Sequence, residues 1–287
     1  MLVTVTVGAG TVPVWVDRPL DVVDPAITRA MLVIHGNNRH AEDDFDRIVD
    51  LVPDDWEGQV IVVTPEFRTA DDAGPGELWW GDDWKEGGDS GGVSSFEVAD
   101  ALVGILRGGT FPNLDWIVVS GHSAGGQFTQ RYAAFTDVDD RMKFVPANAS
   151  SYVYLDGLRW DGLGWSMPIA DCDAGEEGYN EYKYGLEVPY GYAADRSPFW
   201  VRVHAPARWV EVLVGTEDVD ADNEFDDSCA GNRQGADRYE RAHNYVDHMT
   251  LFHGPTSTSV TDVPGAGHDG DEMFASDQGV EALFFPE

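Results

Sequence analysis

Positive charge is what this sequence has least of. Its only lysines are Lys85, Lys143 and Lys183, and Lys plus Arg total 18 against 52 Asp plus Glu, a formal net charge of −34. Such a surface repels phosphate backbones and anionic bilayers, which excludes nucleic acid as a partner class. No apolar run approaches the ~20 residues that span a bilayer, so no membrane span is expected. The opening stretch MLVTVTVGAG lacks both a basic start and a long apolar segment, so it does not read as a signal peptide. The protein is expected to be cytoplasmic, or secreted with its leader removed. Cysteine is scarce as well. Cys172 and Cys229 cannot build a zinc site by themselves and form no CxxC pair, which leaves one disulfide or two buried thiols. No cofactor or metal is expected, and the oligomeric state is left open. The acidity points to a high-salt setting, where screening within ~3 Å at 1 M removes the self-repulsion. It says nothing about a reaction.

Apolar residues are plentiful. With 43% hydrophobic residues, 10 Trp, 10 Tyr and 13 Phe in 287 positions, the chain can fill one large core, and a single domain over residues 1–287 is the economical expectation. Apolar, β-branched runs alternate with helical patterns. Strands are predicted at Val3–Val7, Val12–Val16, Ala30–Ile34 (AMLVI), Val60–Thr64 (VIVVT), Trp116–Ser120 (WIVVS), Lys143–Ala147, Trp209–Val214 and Ser257–Val263. Ser94–Arg107 is predicted helical behind a Ser-x-x-Glu capping box, as are Ala124–Phe135 and residues 233–252. The alternation implies a mostly parallel eight-stranded sheet with helices on both faces. Two stretches break it. Residues 68–93 form a glycine-rich loop with three tryptophans, and residues 150–200 are aromatic-rich and irregular. Each follows a predicted strand, so each should lie at the carboxyl edge, where open α/β sheets hold ligands. The second is expected to sit over the active site like a cap.

The stretch WIVVSGHSAGGQF frames Ser123 with glycines at two-residue spacing. A strand running into the motif, small residues at 121, 124 and 125, and a helix starting at once behind it suit the strained turn that projects a nucleophilic hydroxyl. A serine hydroxyl needs a base, and the base needs an orienting acid. His268, in VPGAGHDG directly after the last predicted strand, is the candidate base. His243, His248 and His253 are assigned to packing or surface, and His122 is expected to point away from Ser123. Asp218, three residues past Gly215 in VEVLVGTEDVDADNEFDD, is the candidate acid, with Asp220 second. Asp218, Asp220 and Asp222 also match the first positions of a calcium-loop frame. That frame fails at Asn223 and Cys229, so the loop reads as solvated carboxylates. The oxyanion donors are predicted to be the N–H groups of Ala124 and of Asn37, in HGNNR after the strand MLVI, with Asn38 second.

IHGNNR, GHSAGGQFTQRYA, VLVGTED and PGAGHDG together resemble the α/β-hydrolase superfamily across nearly the whole chain. The stretches around Cys172 and Cys229 look like a bacterial and archaeal branch of that superfamily, and this resemblance implies a Cys172–Cys229 pairing. It also implies a serine carboxylic-ester hydrolase acting through Ser123, His268 and Asp218. The substrate is expected to be a small-molecule or polymeric ester, with short-chain or aryl esters first and polyesters after them. Asn38, Trp79, Trp80 and Tyr152 are the expected substrate contacts, with Trp84, Tyr154 and Tyr182 near the cleft mouth. The aromatic rings could equally anchor their loops to the body. The rival readings are a serine peptidase or amidase with the same three residues, a catalytically silent binding module on the same fold, and a calcium-stabilised adhesive protein.

Overall fold

The computed structural model describes residues 1–138, 141–170, 172, 175–220 and 224–285. Eight strands form the central sheet: β1 Leu2–Val7, β2 Gly10–Val16, β3 Arg29–Ile34, β4 Val60–Pro65, β7 Trp116–His122, β8 Met142–Ala147, β11 Trp209–Gly215 and β12 Thr258–Val263. Two short ladders lie outside it, β5 Asp89–Ser90 with β6 Val93–Ser94 and β9 Arg159–Trp160 with β10 Trp165–Ser166. The sheet order is β1-β2-β4-β3-β7-β8-β11-β12. The β1–β2 and β2–β4 pairs are antiparallel and every other pair is parallel.

The unbroken apolar runs follow from burial on both faces. Along β3, Ala30, Leu32 and Ile34 join one core cluster while Met31 and Val33 join the other. β4 divides in the same way, Ile61 and Val63 against Val60 and Val62. Helices α2 Ser95–Ile105, α3 Ala124–Phe135, α4 Pro198–His204 and α6 Arg238–Phe252 cover the first face, supplying Phe96, Phe128, Val201 and Met249. Helices α1 Ala41–Asp50, α7 Gly270–Ala275 and α8 Asp277–Phe284 cover the second with Phe45, Ile48, Met273 and Leu283. No helix among the described residues is long and apolar enough to cross a membrane.

Sequence periodicity located α2 and α3 to within a few residues, and Ser94 does close a capping box with Glu97. The predicted helix over 233–252 is shorter. A four-residue helix, α5 Cys229–Asn232, precedes it, and α6 begins where the Asp237 side chain accepts from the Glu240 N–H. Helices α1, α4, α7 and α8 were not anticipated. The irregular stretch 150–200 is held to the body by buried tyrosines, Tyr152, Tyr154, Tyr182 and Tyr184. It is also tied by a disulfide between Cys172 and Cys229, whose Cα atoms stand 5.8 Å apart.

Candidate active site

Register brings five strand ends level. Ile34 pairs with Gly121, His122 with Ala147, Ala147 with Leu213, and Gly215 with Val263. The loops leaving β3, β7, β8, β11 and β12 therefore open on one rim. They carry Asn37, Ser123, Asn148, Asp218 and His268.

Ser123 is the turn between β7 and α3, with φ 58° and ψ −115°, a region that L side chains seldom adopt and that stores strain. Close approach on both sides fixes the neighbouring glycines. A Cβ on Gly121 would lie 2.6 Å from the Ile34 carbonyl oxygen, one on Gly125 would lie 2.7 Å from the His35 oxygen and closer still to that of Ile34, and one on Gly126 would lie 2.5 Å from the Ala147 oxygen. These partners are backbone atoms of β3, of the residue that follows it and of β8, which cannot swing aside as a side chain can. Ala124, the first residue of α3, carries an N–H that has no intrahelical acceptor.

The Ser123 Oγ lies 3.0 Å from His268 Nε2, and His268 Nδ1 lies 2.8 Å from Asp218 Oδ2. Asp218 is buried, and its other oxygen accepts from Arg238 Nη1 at 3.2 Å. Arg238 is buried as well and reaches Ser150 Oγ through Nε. A buried carboxylate so held keeps its orientation. The His268 loop is set by Asn148, whose side chain accepts from the Gly215 N–H and donates to the Gly267 carbonyl, each at 2.9 Å. Asn148 adopts φ 47°, a left-handed turn that asparagine tolerates better than most residues. Gly215 lets the 266–267 backbone pass where a side chain would stand, since a Cβ there would lie 2.8 Å from the Ala266 carbonyl carbon.

His122 departs from expectation. Its ring stands 4.6 Å from that of His268 and lines the same cavity, instead of turning away. The reason is that β7 ends one residue before the turn, so His122 and Ser123 share the rim. Burial, and after it the neighbouring His268, pushes the His122 pKa well below the ordinary imidazole value, which keeps this ring neutral.

The cavity over Ser123 has a volume of about 380 Å³ and is lined by Gly36, Asn37, Asn38, Asp43, Asp44, Arg47, His122, Glu224, His268 and Gly270 as well as Ser123. Apart from two glycines its lining side chains are polar, and three of them, Asp43, Asp44 and Glu224, are carboxylates. Arg47 is the one cationic side chain of the lining, and it is already engaged by Asp44 and Asp271. Asp44 also accepts from the Gly36 N–H at 3.2 Å, fixing the loop that presents Asn37. Burial, ahead of the opposing pull of Arg47, raises the Asp44 pKa above the usual carboxylate value. Across the rim, Asn37 Nδ2 donates to Glu224 Oε2 at 2.7 Å, joining the loops after β3 and β11.

Of the expected substrate contacts, Asn38 lines this cavity, as does the oxyanion candidate Asn37, whereas Trp79, Trp80 and Tyr152 do not. Trp80 and Tyr152 are core residues, Trp80 edge-on to Phe67 at 5.2 Å and Tyr152 stacked on Tyr245 at 4.8 Å. Trp84, Tyr154 and Tyr182 are buried too, while Trp79 is half exposed outside the cavity. None of the described residues of 150–200 lines the cavity either. Asp220 is exposed, Cys229 is spent in the disulfide, and Asp222 and Asn223 of the calcium-loop frame lie outside the described residues. Arg47, Asp44, Asn148, Glu224 and Arg238 were not singled out from sequence. A polar residue directly after a buried strand was the available signal for Asn148, and the spacing of Ala41, Phe45 and Ile48 was the signal for the helix that carries Asp44 and Arg47.

The sequence matches no protein-family model and no curated protein. Solved structures share its fold. Poly(aspartic acid) hydrolase-1 from Sphingomonas sp. KT-1 superposes with a TM-score of 0.70 at 21% identity, covering 99% of this chain and 97% of that one. LpqC, a poly(3-hydroxybutyrate) depolymerase from Bordetella parapertussis, gives 0.69 at 18% identity, covering 99% and 89%. The S-formylglutathione hydrolase FrmB of Staphylococcus aureus gives 0.53 at 12% identity, covering 99% and 96%. The chain has the α/β-hydrolase fold.

Proposed function

We propose that this α/β-hydrolase-fold chain is a serine carboxylic-ester hydrolase with Ser123 as nucleophile, His268 as base and Asp218 as orienting acid. The observation that carries the reading is the continuous relay of 3.0 and 2.8 Å from the Ser123 hydroxyl through both ring nitrogens of His268 to a buried carboxylate. With the Nδ1 proton donated to Asp218, the Nε2 lone pair faces the hydroxyl. His268 then takes the Ser123 proton as Oγ attacks the ester carbonyl, and Asp218 stabilises the imidazolium that forms. The N–H groups of Ala124 and Asn37 receive the developing oxyanion. His268 returns the proton to the leaving alcohol and next deprotonates the water that releases the acyl group.

The walls narrow the substrate. A polar cavity of about 380 Å³ with no aromatic ring but those of His122 and His268 suits small acyl groups and gives a long chain little apolar surface. Asp43, Asp44 and Glu224 around a single, already paired arginine favour neutral or cationic groups over anionic ones. This disfavours a polyanion such as poly(aspartic acid). The related reading, cleavage of an amide through the same relay, draws support from the fold shared with poly(aspartic acid) hydrolase-1. Ester and amide forms of one acyl group separate the two.

A panel of p-nitrophenyl esters from acetyl to octanoyl, assayed in parallel with Ser123→Ala, tests the proposal. Turnover is expected to fall with chain length, and Ser123→Ala should lose at least about a thousandfold. An acyl group bearing an ammonium should be cleaved about tenfold faster than its carboxylate counterpart at low salt, the gap closing at 1 M. Full activity in Ser123→Ala sinks the mechanism. Octanoyl preference sinks only the substrate assignment.

A further inference from the structure

A second cluster of chemically competent side chains lies among residues that take no part in the Ser123 cavity. Asp156, on the segment after β8, His248, in the last turns of α6, and His253, at the residue that ends α6, each offer a ligand atom, and these atoms all lie within 4.8 Å of one another. The two oxygens of Asp156 face the two histidines separately. His248 Nε2 stands 2.9 Å from Oδ1, and His253 Nε2 stands 3.2 Å from Oδ2.

A hydrogen-bonded ion pair accounts for only part of this arrangement. His253 Nε2 is close to its oxygen but out of line for a hydrogen bond, and it is a buried nitrogen without a hydrogen-bond partner among the described residues. His248 has a fully buried side chain, and its Nδ1 is orphaned in the same way. Buried polar atoms nearly always find partners, so the orphaned Nε2 of His253, the ring nitrogen that faces Asp156, needs a reason. Distances supply one. Ligand atoms held ~2.1 Å from one tetrahedral ion stand about 3.4 Å apart, and the nitrogen–oxygen separations of 2.9 and 3.2 Å lie within about 0.5 Å of that.

We propose that Asp156, His248 and His253 bind a divalent transition-metal ion of the zinc class. Two imidazole nitrogens and one carboxylate are a borderline donor set, suited to Zn²⁺, Co²⁺ or Ni²⁺ and poor for Ca²⁺ or Mg²⁺, which take oxygen. The surroundings fit. Tyr154, Trp165 and Phe252 pack their rings 4.8, 5.5 and 5.5 Å from that of His248, forming an apolar wall that excludes competing water. The Leu158 N–H donates to Asp156 Oδ1 at 2.8 Å and orients the carboxylate. Asp156 remains 29% exposed, so the site is open to solvent on one side for a water to complete the coordination. The ion clamps the start of the irregular stretch 150–200 onto the end of α6, at a place distinct from the disulfide that ties its middle. It takes no part in the reaction at Ser123.

Cobalt titration tests this. Tag-free protein, stripped with a chelator and dialysed into molar KCl, is titrated with CoCl₂ while visible absorption and equilibrium dialysis are followed, with ZnCl₂ as competitor. One equivalent of Co²⁺ should bind with d–d bands typical of nitrogen–oxygen coordination, be displaced by Zn²⁺, and raise the melting temperature. Binding should persist in His268→Ala and weaken at least about 100-fold in His253→Ala. Asp156→Asn, nearly isosteric and checked for folding by circular dichroism, should weaken it likewise and guards against misfolding of the histidine variant. No cobalt binding to folded protein overturns the proposal. So does an equivalent that survives both variants or disappears in His268→Ala.

Discussion

Replacing Gly125 by alanine perturbs the Ser123 turn without touching any reacting group. The new Cβ would sit 2.7 Å from the His35 carbonyl oxygen and closer still to that of Ile34. The Ile34 oxygen belongs to the last residue of β3, inside the parallel ladder with β7, and His35 follows it directly, so relief must come from the start of α3. Restoring an ordinary carbon–oxygen contact requires a displacement of about 0.7 to 1.2 Å. That moves Ser123 and the Ala124 N–H away from His268 and Asn37 together. A misplacement of ~1 Å costs about 100-fold in rate, and overpacking of this kind costs about 1–3 kcal/mol of stability, or roughly 2–10 °C in melting temperature for a chain of this size. The assay is kcat/KM on p-nitrophenyl acetate beside a thermal melt. Gly104→Ala is the control, because its Cβ would meet nothing within 4 Å on the exposed last turn of α2, and it should gain up to about 0.5–1 kcal/mol. Wild-type kcat/KM in Gly125→Ala would refute the claim that β3 and α3 jointly set the geometry of the serine.

Other perturbations probe separate parts of the account. Asp218→Asn should lower turnover by about 10⁴-fold and also lower the melting temperature, because it breaks the buried ion pair between Arg238 and Asp218; unchanged turnover would remove Asp218 from the relay. His35 is buried, accepts from the Phe67 N–H at 3.0 Å, and has its pKa pushed down by burial to about 4. Between that value and ~6.5 the unfolded chain binds a proton that the folded chain refuses, so stability is complete above ~6.5 and falls as pH drops through the window, by on the order of 3 kcal/mol at pH 4. Denaturant titrations across pH 7 to 4.5 should show this slope, and His35→Gln should make it shallower by about one proton; an identical slope contradicts the assignment. With a net charge of −34, the melting temperature should rise between 0.1 and 2 M KCl as the screening length contracts from ~10 Å to under ~3 Å, whereas a flat or falling response would dismiss the high-salt reading.

Some features of this molecule were readable in the sequence because a local pattern has one physical cause. Runs such as AMLVI and VIVVT are apolar throughout because both faces of β3 and β4 are buried, so strand type and parallel pairing came together. GHSAGG required glycines because three backbones approach within contact distance at the turn, and the loops bearing Asp218 and His268 follow strands whose ends are level with it. Other features depend on partners far along the chain. Trp80 and Tyr152 sit in loops at the correct edge, yet Phe67 and Tyr245 draw their rings inward, and nothing adjacent in sequence records those partners. Helix α1 was obscured because its buried residues Ala41, Phe45 and Ile48 are interleaved with carboxylates, and the cavity walls Asp44 and Arg47 were obscured with it. Glu224 is one carboxylate in a loop full of them. Only its bond to Asn37, 187 residues away, sets it apart.

The central claim is that the Ser123 hydroxyl, activated by His268, is the nucleophile. Exposure of folded protein to a fluorophosphonate, followed by intact-mass and peptide mass spectrometry, tests it most directly. The account predicts one adduct per chain located at Ser123, absent in Ser123→Ala and slowed by orders of magnitude in His268→Ala. A folded wild-type chain that stays unlabelled, or an adduct that persists when Ser123 is gone, would contradict it.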